Sequence, residues 1–344
     1  MRVPMVPDPP FDSRRVALEI TLHVRRMFMS IDNRDYSIII PVFFNEGSLR
    51  DIAASIRQEV FEPMSDKEGE MVFVDDGSRD GSYEVLRELQ RSHPSDIRII
   101  KLSRNFGQVN AIWCGLEHSN STIVTLSADG QEPVELVAQM LRKHFDEGFE
   151  VVLARRDSRD ETLFRRLTSR VVYTAMKILS NEEMPVGGFD IVLLGKKAKY
   201  ALLKMYQPHT YFQVRVLDLG FKRAWIGYHR CDRKHGKSRW TLARKFTTML
   251  DGVLGHSYIP IRMMSVIGGG LSILSLGCAS FFLINYLVHG HTIKGWTPII
   301  LSILFVGGVQ MMMIGMLGEY LWRVLAQVRQ TPPYVIEEVC EDPC

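Results

Sequence analysis

The sequence predicts an α/β protein built on a doubly wound, mainly parallel sheet, followed by an amphipathic helix and a two-helix transmembrane hairpin. Two observations carry this. Between residues 36 and 153, short apolar runs alternate with stretches of helical period, the pattern of βα units that builds a parallel sheet. Residues 263–288 and 295–318 then contain no charged side chain, and each run exceeds the roughly 20 residues that cross a bilayer.

Taken in order, residues 1–35 form an N-terminal extension, proline-bearing at its start and carrying Glu19, His23, Arg25 and Arg26 where a signal peptide needs an apolar core. Strands are expected at residues 36–42, 71–74, 97–102, 122–126 and 150–153, and helices at 48–60, 82–92, 109–118 and 133–147. This domain is expected to run from 36 to 239. Residues 240–260 repeat Leu242, Phe246, Met249, Leu250, Val253 and Leu254 at helical spacing, with Arg244, Lys245 and Asp251 opposite. They suit a helix in the headgroup layer or one facing the core.

The hairpin occupies residues 261–325, with spans at 263–288 and 296–318 rich in glycines (Gly268, Gly269, Gly270, Gly307, Gly308, Gly315, Gly318) that allow close helix packing. Lys237, Arg239, Arg244, Lys245 and Arg262 precede it and Arg323 and Arg329 follow, so the positive-inside rule places both ends in the cytoplasm and the protein in the cytoplasmic membrane as a multi-pass chain. The tail occupies 326–344, and after residue 330 it reads as unfolded or loosely docked.

Composition narrows the function classes. Forty-two Lys and Arg against thirty-nine Asp and Glu leave a formal charge of +3, with no basic stripe interleaved with aromatics, which sets nucleic acid aside. Five scattered cysteines without CxxC spacing argue against a disulfide framework or a zinc site.

The candidate chemistry lies where the predicted strands stop. The run 71–74 ends in Asp75, Asp76, Gly77 and Ser78, either a nucleotide-contacting turn or an ordinary loop with Ser78 as helix N-cap. The other exits carry Asn45 and Glu46, then Arg104, Asn105 and Gly107, then Asp129, Gly130 and Gln131, and four polar exits on one edge converge on one crevice. Neither GxGxxG nor GxxxxGK[ST] occurs among them, so diphosphate must be held another way. Asp129 and Gln131 are hard oxygen donors suited to Mg²⁺ or Mn²⁺ bridging a diphosphate. Alternatively, Asp129 simply leads a helical turn with Pro133 near its start.

Residues 41–49 (PVFFNEGSL), 74–78 (VDDGS), 103–107 (SRNFG) and 127–133 (SADGQEP), followed by the two charge-free runs, resemble family 2 glycosyltransferases, and within them the polyprenyl-phosphate sugar transferases such as dolichol-phosphate mannose synthase and the bactoprenol glucosyltransferases. The resemblance implies a GT-A fold, a nucleotide-sugar donor such as UDP-glucose, a divalent cation, a polyprenyl phosphate acceptor and self-association, in the service of cell-envelope glycans. By position, Pro41, Phe43, Asn45, Glu46, Ser127 and Ala128 would line the nucleotide site, with Asp75 or Asp76 on the base. Asp129 and Gln131 would hold metal and diphosphate. Arg155, Arg165, Arg166, Arg170, Arg233, Ser238 and Arg239 would grip the acceptor phosphate, unless they form a basic face for anionic lipids. Asp190, in residues 187–194 (GGFDIVLL), falls where the family carries a proposed base; a solvated loop aspartate is the other reading. The family's first metal carboxylate is replaced by Ser127, and Phe43 and Phe44 replace Tyr-Asn. A processive polysaccharide synthase or an inactive membrane scaffold are the competing functions.

Overall fold

The computed structural model describes residues 34–119, 121–156, 188–207, 212–229, 259–289, 296–329 and 331–340. The predicted N-terminal extension up to residue 33 and residues 230–258, with most of the expected amphipathic helix, lie outside them.

Eight strands form one sheet: β1 (Tyr36–Val42), β2 (Gly69–Asp75), β3 (Ile97–Leu102), β4 (Thr122–Thr125), β5 (Val151–Arg156), β6 (Phe189–Leu194), β7 (Arg223–Tyr228) and β8 (Ile336–Cys340). Their spatial order is β7-β5-β6-β4-β1-β2-β3-β8. The helices are α1 (Leu49–Ile56), which runs into one turn of π-helix (Arg57–Phe61), α2 (Ser82–Ser92), α3 (Gln108–Glu117), α4 (Glu135–Phe145), α5 (Lys196–Lys204), α6 (Phe212–Leu217), α7 (Ile259–His289) and α8 (Trp296–Arg329).

β1 and β2 lie in the interior of the sheet, and both their faces are apolar. Ile38, Ile40, Met71 and Phe73 pack on one side with Leu49 and Ile52 of α1, Leu86 of α2 and Val137 of α4. Ile39, Val72 and Val74 pack on the other with Ala111 of α3, Leu202 of α5 and Val216 of α6. Continuous buried runs covered by helices on both sides are the signature of a parallel sheet, and β1 pairs parallel with β2 and β4, and β2 with β3. The sheet is nevertheless mixed: β6 runs antiparallel to β4 and β5, and β8 antiparallel to β3.

Of the two readings of the C-terminal tail, unfolded or loosely docked, the structure shows docking, with residues 336–340 forming β8. Ser103 N–H donates to the Val335 carbonyl at 2.9 Å, Gln90 Nε2 to the Cys340 carbonyl at 2.7 Å, Lys101 Nζ to Glu337 at 3.2 Å, and the Tyr83 hydroxyl to Glu338 at 2.7 Å. Partners on β3 and α2 therefore compensate the acidic run that suggested disorder, and β8 covers the open β3 edge.

The two charge-free runs do form helices, α7 and α8, but among the described residues no helix is long and apolar enough to cross a membrane. This overturns the expected transmembrane hairpin and, with it, the multi-pass membrane localisation. Absence of charge alone does not make a span: the two runs also carry several glycines and serines and, in α8, Gln310. The glycines also act less widely than expected. A Cβ on Gly268 would lie 2.7 Å from the Met313 methyl, so the two helices approach closely there, whereas Gly269, Gly270, Gly307, Gly308, Gly315 and Gly318 face open space.

Candidate functional site

Strand direction assembles the site. β1 to β5 and β7 point the same way, so their carboxyl ends share one edge, and the antiparallel β6 brings its amino end to that edge. Across it lie Tyr228, Arg155, Asp190, residues 126–132, the loop after β1, Asp75 and Asp76, and residues 103–107. The four polar exits therefore lie along one edge, and Asp190 lies on the same edge.

The two adjacent aspartates have different tasks. Asp76 is 2% exposed and accepts N–H groups from Phe106 at 2.6 Å and Gly107 at 2.9 Å, stapling the β3 exit to the β2 exit. Gly77, at φ +68°, makes room for this: a Cβ there would lie 2.5 Å from the Arg104 carbonyl carbon. Asp75 is 0% exposed and accepts the Ser78 N–H, at 3.2 Å, through Oδ1, while Oδ2 is buried with no hydrogen-bond partner. Burial pushes the Asp75 carboxyl above the usual carboxylate range, with the Ser78 hydrogen bonds opposing. A buried acceptor without a partner at a strand end is open to a donor from a water or a ligand. Ser78 does not cap a helix, since α2 begins at Ser82; its hydroxyl accepts the Phe44 N–H at 3.1 Å.

After β1 the chain turns sharply. Phe44 has φ +59°, the positive-φ residue other than glycine among the described residues, and its ring meets that of Phe43 edge-on at 4.6 Å. Such strain is stored where geometry matters. Pro41, Phe43 and Phe44 are half-buried along this edge. Asn45 Oδ1 accepts the Phe43 N–H at 2.9 Å and Glu46 Oε2 the Gly81 N–H at 3.1 Å, so both side chains brace the loop against itself and the start of α2.

Beyond β4, Asp129 Oδ1 accepts the Ser127 hydroxyl at 3.0 Å and the Gln131 N–H at 3.2 Å. Ser48 Oγ donates to the Ala128 carbonyl at 2.6 Å. Ser127 N–H donates to Glu132 Oε2 at 3.1 Å, and Glu132 is 5% exposed. Glu132 was missed by sequence reasoning, although a carboxylate between Gln131 and Pro133 marked it. Ser127 thus orients Asp129 and adds no charge of its own. Among the described residues no group of three or more His, Cys, Asp or Glu could hold a metal ion by itself. Asp129 with a diphosphate nevertheless makes a fitting donor set, because Mg²⁺ is commonly held by one or two carboxylates together with substrate phosphates.

Asp190 stands at the amino end of β6, and the Tyr228 hydroxyl donates to its Oδ2 at 2.7 Å. Arg155, exposed near the end of β5, shares the edge. Arg165, Arg166, Arg170, Arg233, Ser238 and Arg239 lie outside the described residues.

Known proteins resemble this chain over most of its length. Residues 37–198, which span the sheet from β1 through β6, match the model of glycosyl transferase family 2. The chain is 31% identical over 309 residues, 88% of its own length and 92% of the relative's, to the undecaprenyl-phosphate 4-deoxy-4-formamido-L-arabinose transferase of Shewanella sediminis. It is 30% identical over 307 residues, 88% of its length and 93% of the relative's, to the uncharacterized glycosyltransferase YkcC of Bacillus subtilis. It is 27% identical over 305 residues, 88% and 98% of the two lengths, to the prophage bactoprenol glucosyl transferase homolog of Escherichia coli. A mixed α/β sheet, carboxylates along one of its edges and near full-length similarity to these relatives lead to one conclusion: the chain belongs to glycosyl transferase family 2 and is a glycosyltransferase.

Proposed function

We propose that the carboxylate edge binds a nucleoside diphosphate sugar and passes the sugar, with inversion, to the phosphate of a polyprenyl lipid. The observation that carries the reading is the buried, unpartnered Asp75 Oδ2 on the same edge as Asp129 and Asp190. The names of relatives that use bactoprenol or undecaprenyl phosphate support the acceptor class.

In this reading the base donates an N–H to Asp75, flanked by Pro41 and Phe43, while Asn45, Glu46 and Asp76 keep the pocket walls in place. Ser127 and Ala128 border the ribose. Asp129 and Gln131 would hold a divalent cation against the diphosphate; when bound, that cation neutralises the charge of the departing group. An acceptor phosphate oxygen attacks the anomeric carbon from the face opposite the diphosphate; the new carbon–oxygen bond forms as the bond to the nucleoside diphosphate breaks, and no hydrolysis intervenes. A phosphate monoester has a second pKa of about 6 and is largely dianionic at neutral pH, so the acceptor needs little help from a base. Asp190 accordingly orients the acceptor or a sugar hydroxyl, and Arg155, with Arg165, Arg166, Arg170, Arg233, Ser238 and Arg239, supplies donors for the lipid phosphate. UDP-glucose is the first donor to test.

The test is equilibrium binding of a panel of nucleotide sugars to the full chain with Mg²⁺ or Mn²⁺. Saturable binding of one of them, weakened at least about tenfold in Asp129→Asn, is expected. No binding of any donor with either cation would overturn the proposal.

A further inference from the structure

Asp190 sits at an irregularity in the sheet. Between β5 and β6 the register passes from Ala154 opposite Ile191 to Arg155 opposite Phe189, leaving Asp190 as an inserted residue. In a regular strand, residues 189 and 191 face the same way. Here Ile191 joins the core face that holds Ala154 and Ala224, whereas Phe189 joins the opposite face and meets the Trp225 ring at 5.8 Å. One extra residue of this kind bends a strand and re-aims a side chain.

Tyr228 meets that re-aimed side chain. It ends β7, aligned with Arg156 of β5, and its ring packs in the same core layer as Ala154 and Ile191 with 4% of the residue exposed. Its hydroxyl donates to Asp190 Oδ2 at 2.7 Å, across the end of the intervening β5. A buried tyrosine hydroxyl finds a hydrogen-bond partner, and here that partner is a half-buried carboxylate on a strand two places away. The bond fixes the rotation of the carboxylate group, and so the direction in which its lone pairs meet a reactant at the sheet edge.

We infer that Tyr228 is a positioning residue for the transfer reaction, with the Asp190 bulge and the Tyr228 hydroxyl forming one unit that orients the Asp190 carboxylate. The inference rests on the assignment of Asp190 to the reacting centre. It predicts that removing the hydroxyl weakens turnover through Asp190 and leaves donor binding alone.

The experiment measures transfer of labelled glucose from UDP-glucose to undecaprenyl phosphate by the full chain, for Tyr228→Phe, Tyr228→His, Asp190→Asn and the double variant Asp190→Asn with Tyr228→Phe. Tyr228→Phe should lower kcat about tenfold, the size expected for one hydrogen bond to a charged group, with the donor KM within about twofold of the parent. Tyr228→His, which keeps a ring N–H, should recover part of the loss. In the double variant the loss should equal that of Asp190→Asn alone, because the two groups act together.

Parental kcat in Tyr228→Phe while Asp190→Asn collapses would overturn the inference and leave the Asp190 assignment standing. Additive losses, or equal loss in the Phe and His variants together with weakened donor binding, would assign Tyr228 to packing and likewise overturn it. Full turnover in Asp190→Asn would instead remove the assignment on which the inference rests.

Discussion

Replacing Asp75 with asparagine separates the stability of this fold from its function. Asp75 is 0% exposed, one oxygen accepts Ser78 N–H at 3.2 Å, and the other is buried without a partner. A buried polar group left unsatisfied costs about 1–3 kcal/mol, and more when charged. An asparagine at this position keeps the acceptor for Ser78 but loses the charge, so the ligand-free variant should be more stable than the parent by about 1–2 kcal/mol at neutral pH. Donor binding should move the other way: a charge-assisted hydrogen bond of about 1.5–3 kcal/mol corresponds to about 10–150-fold in affinity. The pH dependence follows from the raised proton affinity of the Asp75 carboxyl in the fold. A carboxyl raised on folding contributes stability that is fully present below its unfolded value, about 3.9, and is lost as pH rises through its folded value. The advantage of Asp75→Asn should therefore be greatest at neutral pH and shrink on acidification. Urea unfolding across pH and calorimetric donor titration read both quantities. Unchanged donor affinity with unchanged or lower stability would refute the assignment of Oδ2 as the group kept for the ligand.

Substitutions at two positions and one truncation probe the supports of the site and of the sheet. Asp76→Ala removes the acceptor for two N–H groups at 2.6 and 2.9 Å and should cost about 3 kcal/mol in urea unfolding, weakening donor binding as well; a cost under about 1 kcal/mol would contradict its role as a staple. Glu132→Ala should lower transfer about tenfold and raise the cation concentration needed for half-maximal rate, whereas Glu132→Gln, which keeps the acceptor for Ser127 N–H, should stay within about threefold of the parent; equal losses in the two would show that charge is what matters. Truncation after residue 330 exposes the β3 edge and should lower the unfolding midpoint and promote aggregation in light scattering; a truncated chain as stable and as soluble as the parent would show that β8 contributes nothing.

The central fold was legible because it is written in buried β-branched runs. The expected strands 36–42 and 97–102 coincide with β1 and β3, and α2 with the expected 82–92, since continuous apolar strands and an amphipathic helix leave little freedom of register. The convergence of the polar exits followed from strand direction alone. What stayed hidden depends on contacts distant in sequence. Nothing local distinguishes Asp75 from Asp76; the difference arises because the β3 exit supplies two N–H groups to one of them. The bulge at Asp190 depends on the register against β5, and Tyr228 lies 38 residues away in the chain. The tail after residue 330 looked unfolded because its acids were counted without Arg87, Lys101 and Tyr83, which answer them. The transmembrane reading failed for another reason: it took freedom from charge as the measure of a span, whereas among the described residues no helix is long and apolar enough to cross a membrane.

The most direct measurement is transfer of labelled sugar from UDP-glucose and a panel of other nucleotide sugars to undecaprenyl phosphate in detergent micelles, with Asp129→Asn as control. One donor should yield labelled lipid whose sugar is linked through phosphate in the inverted configuration, and the control should yield almost none. Labelled free sugar with no labelled lipid, or labelled lipid undiminished in the control, would contradict the proposed donor site and its phosphate acceptor.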